Sequence, residues 1–179
     1  MKKTTLPKRL SRKPIYKSPW INLFTDRVLL PSGKIIEQHH FLDFPKQSVV
    51  VLIENTRHEI LFIRSLRYTT QKVEWELPAG GIEKGESIVK AAQREAEEET
   101  GFKTKNLKIV YTYNPSNGMS NQVAHVVFGK TTNTPRSSFD TNEVKNSQWL
   151  SKTEIKKLIK QKKITDGMSL IPLLLYLNK

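Results

Sequence analysis

The stretch Gly80–Phe102, GGIEKGESIVKAAQREAEEETGF, decides how this chain is read. From about Glu86 to Thr100 it has helical composition, and it stops at Gly101, the residue best able to take the left-handed conformation beyond a helix end. At about 100° per residue, Ile88, Val89, Ala92 and Ala96 fall on one apolar stripe. Lys90, Gln93 and Glu97 fall on a second, facing water, while Glu95, Glu98 and Glu99 share a third. Spacings of three and four bring those carboxylates together. A merely solvated acidic run is a poor account of them, because like charges at these spacings repel and acids in the last turn oppose the helix dipole. Hard cations such as Mg²⁺ or Mn²⁺ reverse the penalty, taking carboxylate oxygens while bridging to substrate phosphates. The expectation is therefore a divalent-metal face, with Arg94 beside it to hold one carboxylate in place.

Before this helix, Glu76-Leu77-Pro78-Ala79-Gly80-Gly81 reads as a structured loop, since its proline and paired glycines interrupt any regular element. Further upstream, residues 47–53 form a β-branched run suited to a buried central strand, with residues 59–65 as its hairpin partner. Residues 21–30 and 34–44 read as another hairpin, turned at Pro31-Ser32-Gly33. Downstream, strands are expected over residues 107–113, 123–131 and 145–150, then closing helices over 153–160 and 166–177. Residues 1–17 hold Pro7 and Pro14 among basic side chains without apolar periodicity and read as a mobile arm. The organisation expected is thus an arm over 1–17, an N-terminal β region over 18–45 and a catalytic domain over 46–179.

Composition narrows the chemistry. With 179 residues and no cysteine, the chain has room for a real core but no disulfide, thiolate ligand or cysteine nucleophile. This suits a reducing cytosol. His39, His40, His58 and His125 show no ligand spacing, so metal chemistry falls to oxygen donors. The apolar runs are too short to span a bilayer and the first twenty residues lack a signal-peptide core, which gives the expectation of a cytoplasmic protein without a membrane partner. The net charge of +13 raises nucleic acid as a partner. Much of that excess is local to residues 1–17 and 145–163, which lack the interleaved aromatic platforms of single-strand binders and read as a solvated tail and a solvated helix face.

Gly80, Glu86, Arg94, Glu95, Glu98, Glu99 and Gly101 stand at the fixed positions of G-x5-E-x7-R-E-U-x-E-E-x-G-U, with Ala96 and Phe102 at the two aliphatic positions. In this the chain resembles the Nudix hydrolases. The resemblance implies a mixed central sheet in an α/β/α sandwich, with the small β region ahead of it. It also implies metal ions on Glu95, Glu98 and Glu99, with the Ala79 carbonyl as a further ligand. Glu86 resembles the family's glutamate that pairs with the arginine or touches an outer metal, and is equally a favourable acid at a helix N-terminus. Hydrolysis then follows by in-line attack of water on phosphorus.

Glu76-Leu77-Pro78-Ala79-Gly80 and Pro115-Ser116-Asn117-Gly118 resemble the branch acting on ADP-ribose and nucleotide sugars. That branch implies cleavage to a nucleoside monophosphate and a sugar phosphate, by a homodimer joined through the N-terminal β region. The departure is Gln122, standing where the branch commonly carries a water-activating glutamate; an amide cannot be a general base. Glu98, Asp140 or Glu143 remains for that role, or the substrate is another nucleotide sugar, such as GDP-mannose, or a dinucleotide. A non-catalytic nucleotide sensor is the reading from a different class. Arg64 and Arg67 resemble the family's phosphate-contacting strand end, against the alternative of surface ion pairs. Trp75 is either a base-stacking ring or core; Glu76, Gly80 and Gln122 complete the candidate substrate contacts.

Overall fold

The structure is a computed structural model describing residues 6–131 and 144–178. It divides into two compact units, Met1–Lys46 with Ser116–Gln122, and Gln47–Pro115 with Val123–Lys179.

The larger unit is built on a mixed sheet. Its path runs β10 (Val144–Leu150), β5 (Ile60–Arg67), β4 (Ser48–Glu54), β9 (Ala124–Lys130) and β8 (Lys105–Tyr113), with β6 (Lys72–Glu76) on β5 and β7 (Ala79–Gly81) on β4. Among the described strands of this sheet only β4 and β9 run parallel; the other pairs are antiparallel. Because strand side chains alternate between faces, β4 feeds two cores. Val50 and Leu52 join Phe62, Val126, Ile155 and Leu173 under α2 (Lys152–Lys160) and α3 (Gly167–Leu177). Val49, Val51 and Ile53 join Leu61, Val127 and the alanines of α1 (Ile88–Thr100) on the other face. This is the expected α/β/α sandwich. Among the described residues no helix is long and apolar enough to cross a membrane.

The helix α1 starts on Ser87, whose hydroxyl accepts from Lys90 N, and ends on Gly101 at φ 73°, whose N–H donates to the Glu97 carbonyl at 2.8 Å. Its buried face is Ala91, Ala92, Ala96 and Thr100; Val89, placed on that face by the helical wheel, is exposed. Small side chains face the sheet and the bulkier valine is turned out. The Glu76–Gly81 loop is also more regular than its proline suggests. Leu77 and Pro78 separate β6 from β7, and the Pro78 carbonyl accepts from Val51 N at 2.8 Å, so the proline, lacking a donor, still serves as an acceptor beside β4.

The smaller unit corrects the mobile arm. Lys8–Tyr16 is a strand, β1, antiparallel to β2 (Asn22–Leu29), which pairs in turn with β3 (Ile35–Asp43). Its lysines and Pro14 suit an edge strand, with a register shift between Pro14 and Tyr16, and they hide the alternation that would have signalled it. Arg12 is not a solvated charge. It forms two 2.7 Å hydrogen bonds to Asp26, itself 5% exposed, and stacks over Phe24 and Phe41 at 4.6 and 4.5 Å. Nor does the N-terminal unit stop at residue 45. Ser116–Gln122 belongs to it, through a Leu42↔Ser120 bridge, Leu42 N to the Met119 carbonyl at 2.9 Å, and Asn121 Nδ2 to Asp43 at 2.7 Å.

Candidate active site on the acidic face of α1

Arg94 organises the acidic face. Its Nε and Nη2 reach both Glu86 oxygens at 3.1 and 3.0 Å, Nη1 reaches Glu95 at 2.8 Å and Glu98 at 3.1 Å, and Nη2 also donates to the Gly81 carbonyl at 2.9 Å. One planar fork thus ties the acids of the helix to the strand before it, which a lysine cannot do. The hydrogen bonds from Arg94 and the Glu83 amide hold the Glu86 carboxyl below its ordinary range, and the same acids raise the Arg94 pKa. At Glu95 burial dominates and pushes the carboxyl upward, with Arg94 pulling it part of the way back.

Gly80 makes room for that carboxylate. A Cβ built on Gly80 would lie 2.1 Å from both Cδ and Oε1 of Glu95. Next to it, Ala79 N donates to Glu99 Oε2 at 2.9 Å. Glu86, Arg94, Glu95, Glu98, Glu99, Ala79 and Gly80 therefore form one neighbourhood. Among the described residues no three His, Asp or Glu side chains converge as a ready-made metal cage. The donors on this face are hard carboxylate oxygens, those of Glu95 desolvated over a glycine cradle.

The remaining candidates are set apart from this face of α1. Arg67 chelates Glu76, with Nε at 2.8 Å from Oε1 and Nη2 on Oε2, and this raises the Arg67 pKa. Arg64 stacks over Trp75 at 4.2 Å and donates to the Val73 carbonyl at 2.8 Å. Trp75 meets Phe62 edge-on with ring centroids 6.1 Å apart and packs against the buried cluster. Gln122 lies in the smaller unit, its N–H donating to Ser120 Oγ at 3.4 Å. Asp140 and Glu143 lie outside the described residues.

Ser169 was not anticipated. Fully buried, it accepts from Leu77 N at 2.9 Å and donates to Asp166 Oδ2 at 2.7 Å, anchoring the segment that leads to Ala79. The spacing Asp166-x-x-Ser169 at a helix start signals a cap; nothing local signals Leu77 as its partner.

The NUDIX domain matches residues 44–168, and the nucleoside diphosphate sugar hydrolase N-terminal domain matches residues 7–42. A CMP-5'-(N-acetyl-N-hydroxy-3-aminopropyl)phosphonate hydrolase of Streptomyces rubellomurinus is 28% identical over 157 residues, covering 87% of this chain and 75% of that protein. An ADP-ribose pyrophosphatase of Bacillus subtilis is 31% identical over 119 residues, covering 66% and 63%. The crystal structure of an ADP compounds hydrolase superposes with a TM-score of 0.86 at 17% identity, over 98% of this chain and 95% of the other, and so shares the fold. The acidic helix, its arginine and its glycine cradle thus stand within a matched domain that spans most of the chain, and the protein belongs to the Nudix hydrolase family.

Proposed function

We propose that the chain hydrolyses the pyrophosphate bond of ADP-ribose or a closely related nucleoside diphosphate sugar, releasing a nucleoside monophosphate and a sugar phosphate. The observation that carries this reading is the Arg94-ordered carboxylate face beside Ala79 and Gly80, set in a chain that also matches the nucleoside diphosphate sugar hydrolase N-terminal domain. Mg²⁺ or Mn²⁺ is the proposed cation, on Glu95, Glu98 and Glu99. When bound there, it supplies positive charge for the pyrophosphate oxygens and a more acidic water. The protein's own contribution is positional: Arg94 aligns Glu95 and Glu98 from one side, and Ala79 N holds Glu99 from the other. Glu98 or Glu143 is proposed to take the water proton, and Arg64 and Arg67 to face the phosphates.

A homodimer in the cytoplasm is part of the same proposal. The smaller unit leaves Leu10, Ile15, Tyr16 and Trp20 exposed, which suits a face covered by a second copy. The Streptomyces relative favours one further candidate, a cytidine monophosphate linked to a phosphonate. Incubation with ADP-ribose, GDP-mannose, a dinucleotide and a CMP-linked phosphonate in Mg²⁺ or Mn²⁺, with chromatography of the products, tests the assignment. AMP and ribose 5-phosphate from ADP-ribose are the expected products; inactivity across the panel would instead support the nucleotide-sensor reading.

A further inference from the structure

β9 buries Ala124, Val126 and Val127, yet its second residue is His125, itself only 8% exposed. A buried imidazole is costly unless both ring nitrogens are engaged. Here both are: Nε2 lies 2.8 Å from Gln47 Oε1, and Nδ1 lies 2.9 Å from Thr112 Oγ1. An amide oxygen only accepts, so the ring proton sits on Nε2, and Nδ1 takes its bond from the Thr112 hydroxyl. Burial lowers the His125 pKa and favours this neutral form. One side chain thereby ties together β8, β9 and the residue that leads into β4.

The row it forms lies on the α1 side of the sheet. On β4, Val49 has His125 of β9 as one neighbour and Gly80 of β7 as the other, and Val49 belongs to the core beneath α1. Cross-strand neighbours share a face, so His125 and the glycine cradle of Glu95 stand on the same side, two strands or roughly 10 Å apart.

Gln47 closes the β4–β7 ladder. It stands just outside β4, and its carbonyl accepts from Ile82 N at 2.9 Å, one step beyond the Ser48↔Gly81 pair. Terminal rungs open most readily, because nothing beyond them holds the chain. Gln47 is exposed, and its bond to the buried ring of His125 supplies that hold. One residue inward from Ile82 is Gly81, whose carbonyl receives Arg94 Nη2 at 2.9 Å. The same guanidinium reaches Glu86, Glu95 and Glu98.

We infer that His125 is a positioning residue for the carboxylate face of α1: through Gln47 it keeps the β4–β7 ladder closed to Ile82, and so fixes the Gly81 carbonyl on which the Arg94 fork is aligned. The inference rests on the reading of that face as the hydrolytic site. It goes beyond that reading by extending the active-site scaffold to a buried histidine two strands away, outside the glycine–helix motif.

Asparagine and glutamine each keep one half of the imidazole's bonding. His125→Gln reaches as far as Nε2 and still donates to Gln47, whereas His125→Asn reaches only as far as Nδ1, keeping Thr112 and releasing Gln47. In the metal-free protein, protection of the Ile82 amide against hydrogen exchange is expected to fall at least about tenfold in His125→Asn and to stay near wild type in His125→Gln. With ADP-ribose and Mg²⁺, His125→Asn is expected to lose about tenfold in kcat with KM little changed, and His125→Gln to recover most of that loss. Gln47→Leu, at an exposed position where folding is tolerant, removes the acceptor and is expected to reproduce both losses. Equal effects of the two His125 variants on exchange make His125 a packing residue and overturn the inference. So does a loss of Ile82 protection that leaves kcat unchanged. A wild-type enzyme inactive on ADP-ribose sinks the substrate reading instead, and the exchange contrast between the variants then decides the His125–Gln47 link by itself.

Discussion

Gly80 lies against the Glu95 carboxylate so closely that a single added methyl group would sit 2.1 Å from its Oε1. The glycine of the Nudix pattern and its first helical metal candidate, fifteen positions apart in sequence, are one packing unit. Glu95 keeps its buried position only while residue 80 has no side chain.

Gly80→Ala therefore forces Glu95 off the sheet. Since displacing a catalytic group by about 1 Å costs on the order of 100-fold, kcat/KM is expected to fall by about that factor, with a higher requirement for Mg²⁺ or Mn²⁺. Steady-state rates across a metal titration check this; wild-type metal dependence in the variant would contradict the packing account.

Arg94→Lys keeps the charge and removes the fork. One ammonium cannot meet Glu86, Glu95, Glu98 and the Gly81 carbonyl at once, so activity is expected to drop more than tenfold while unfolding stays cooperative. Kinetics combined with a thermal melt separate this outcome from global destabilisation.

Glu98→Gln removes a proposed ligand that is largely exposed, its side chain 57% accessible, so stability is expected to change little. Mg²⁺-dependent turnover is expected to vanish. Full activity in this variant would sink the metal assignment.

Ser169→Ala leaves Leu77 N without its partner in a buried setting and is expected to cost about 1–3 kcal/mol of stability. Denaturant unfolding measures that cost, and a loss of turnover beyond it would show that the segment before Ala79 has shifted.

The Arg12–Asp26 pair gives the N-terminal sheet an acid limb. Hydrogen bonding from Arg12 lowers the Asp26 pKa in the folded chain. The stability it contributes is therefore fully present above the unfolded aspartate value of about 3.9 and is lost as pH falls through the folded value. The protection of β2 amides against hydrogen exchange, relative to their intrinsic rate at each pH, is expected to fall below about pH 4 in the wild type, and this pH dependence should be absent in Asp26→Asn. Deleting residues 1–17, harmless if they were a loose arm, is now expected to disrupt this sheet, because it removes β1 and strands Asp26 without its partner.

The sandwich was legible where periodicity is strong and local. The unbroken, mostly β-branched apolar run of β4, the three-and-four spacing of Glu95, Glu98 and Glu99, and the Gly101 terminus all state their structure within a few residues. The elements that escaped are those with weak local signals. β1 is basic on both faces and broken by Pro14, β6 and β7 flank a proline, and the alanines of α1 outcompete Val89 only because the sheet beneath accepts small side chains.

The sequence by itself determined a carboxylate-bearing helix after a glycine loop, because the helical period converts fixed spacing into a shared face without help from the rest of the chain. Tertiary structure alone decided which distant groups serve it. Ser169 meets Leu77 across 92 positions, Asn121 meets Asp43 across 78, and Arg67 is bound to Glu76 on the neighbouring strand. Such pairings follow from the order in which strands are laid side by side, and no local periodicity encodes that order.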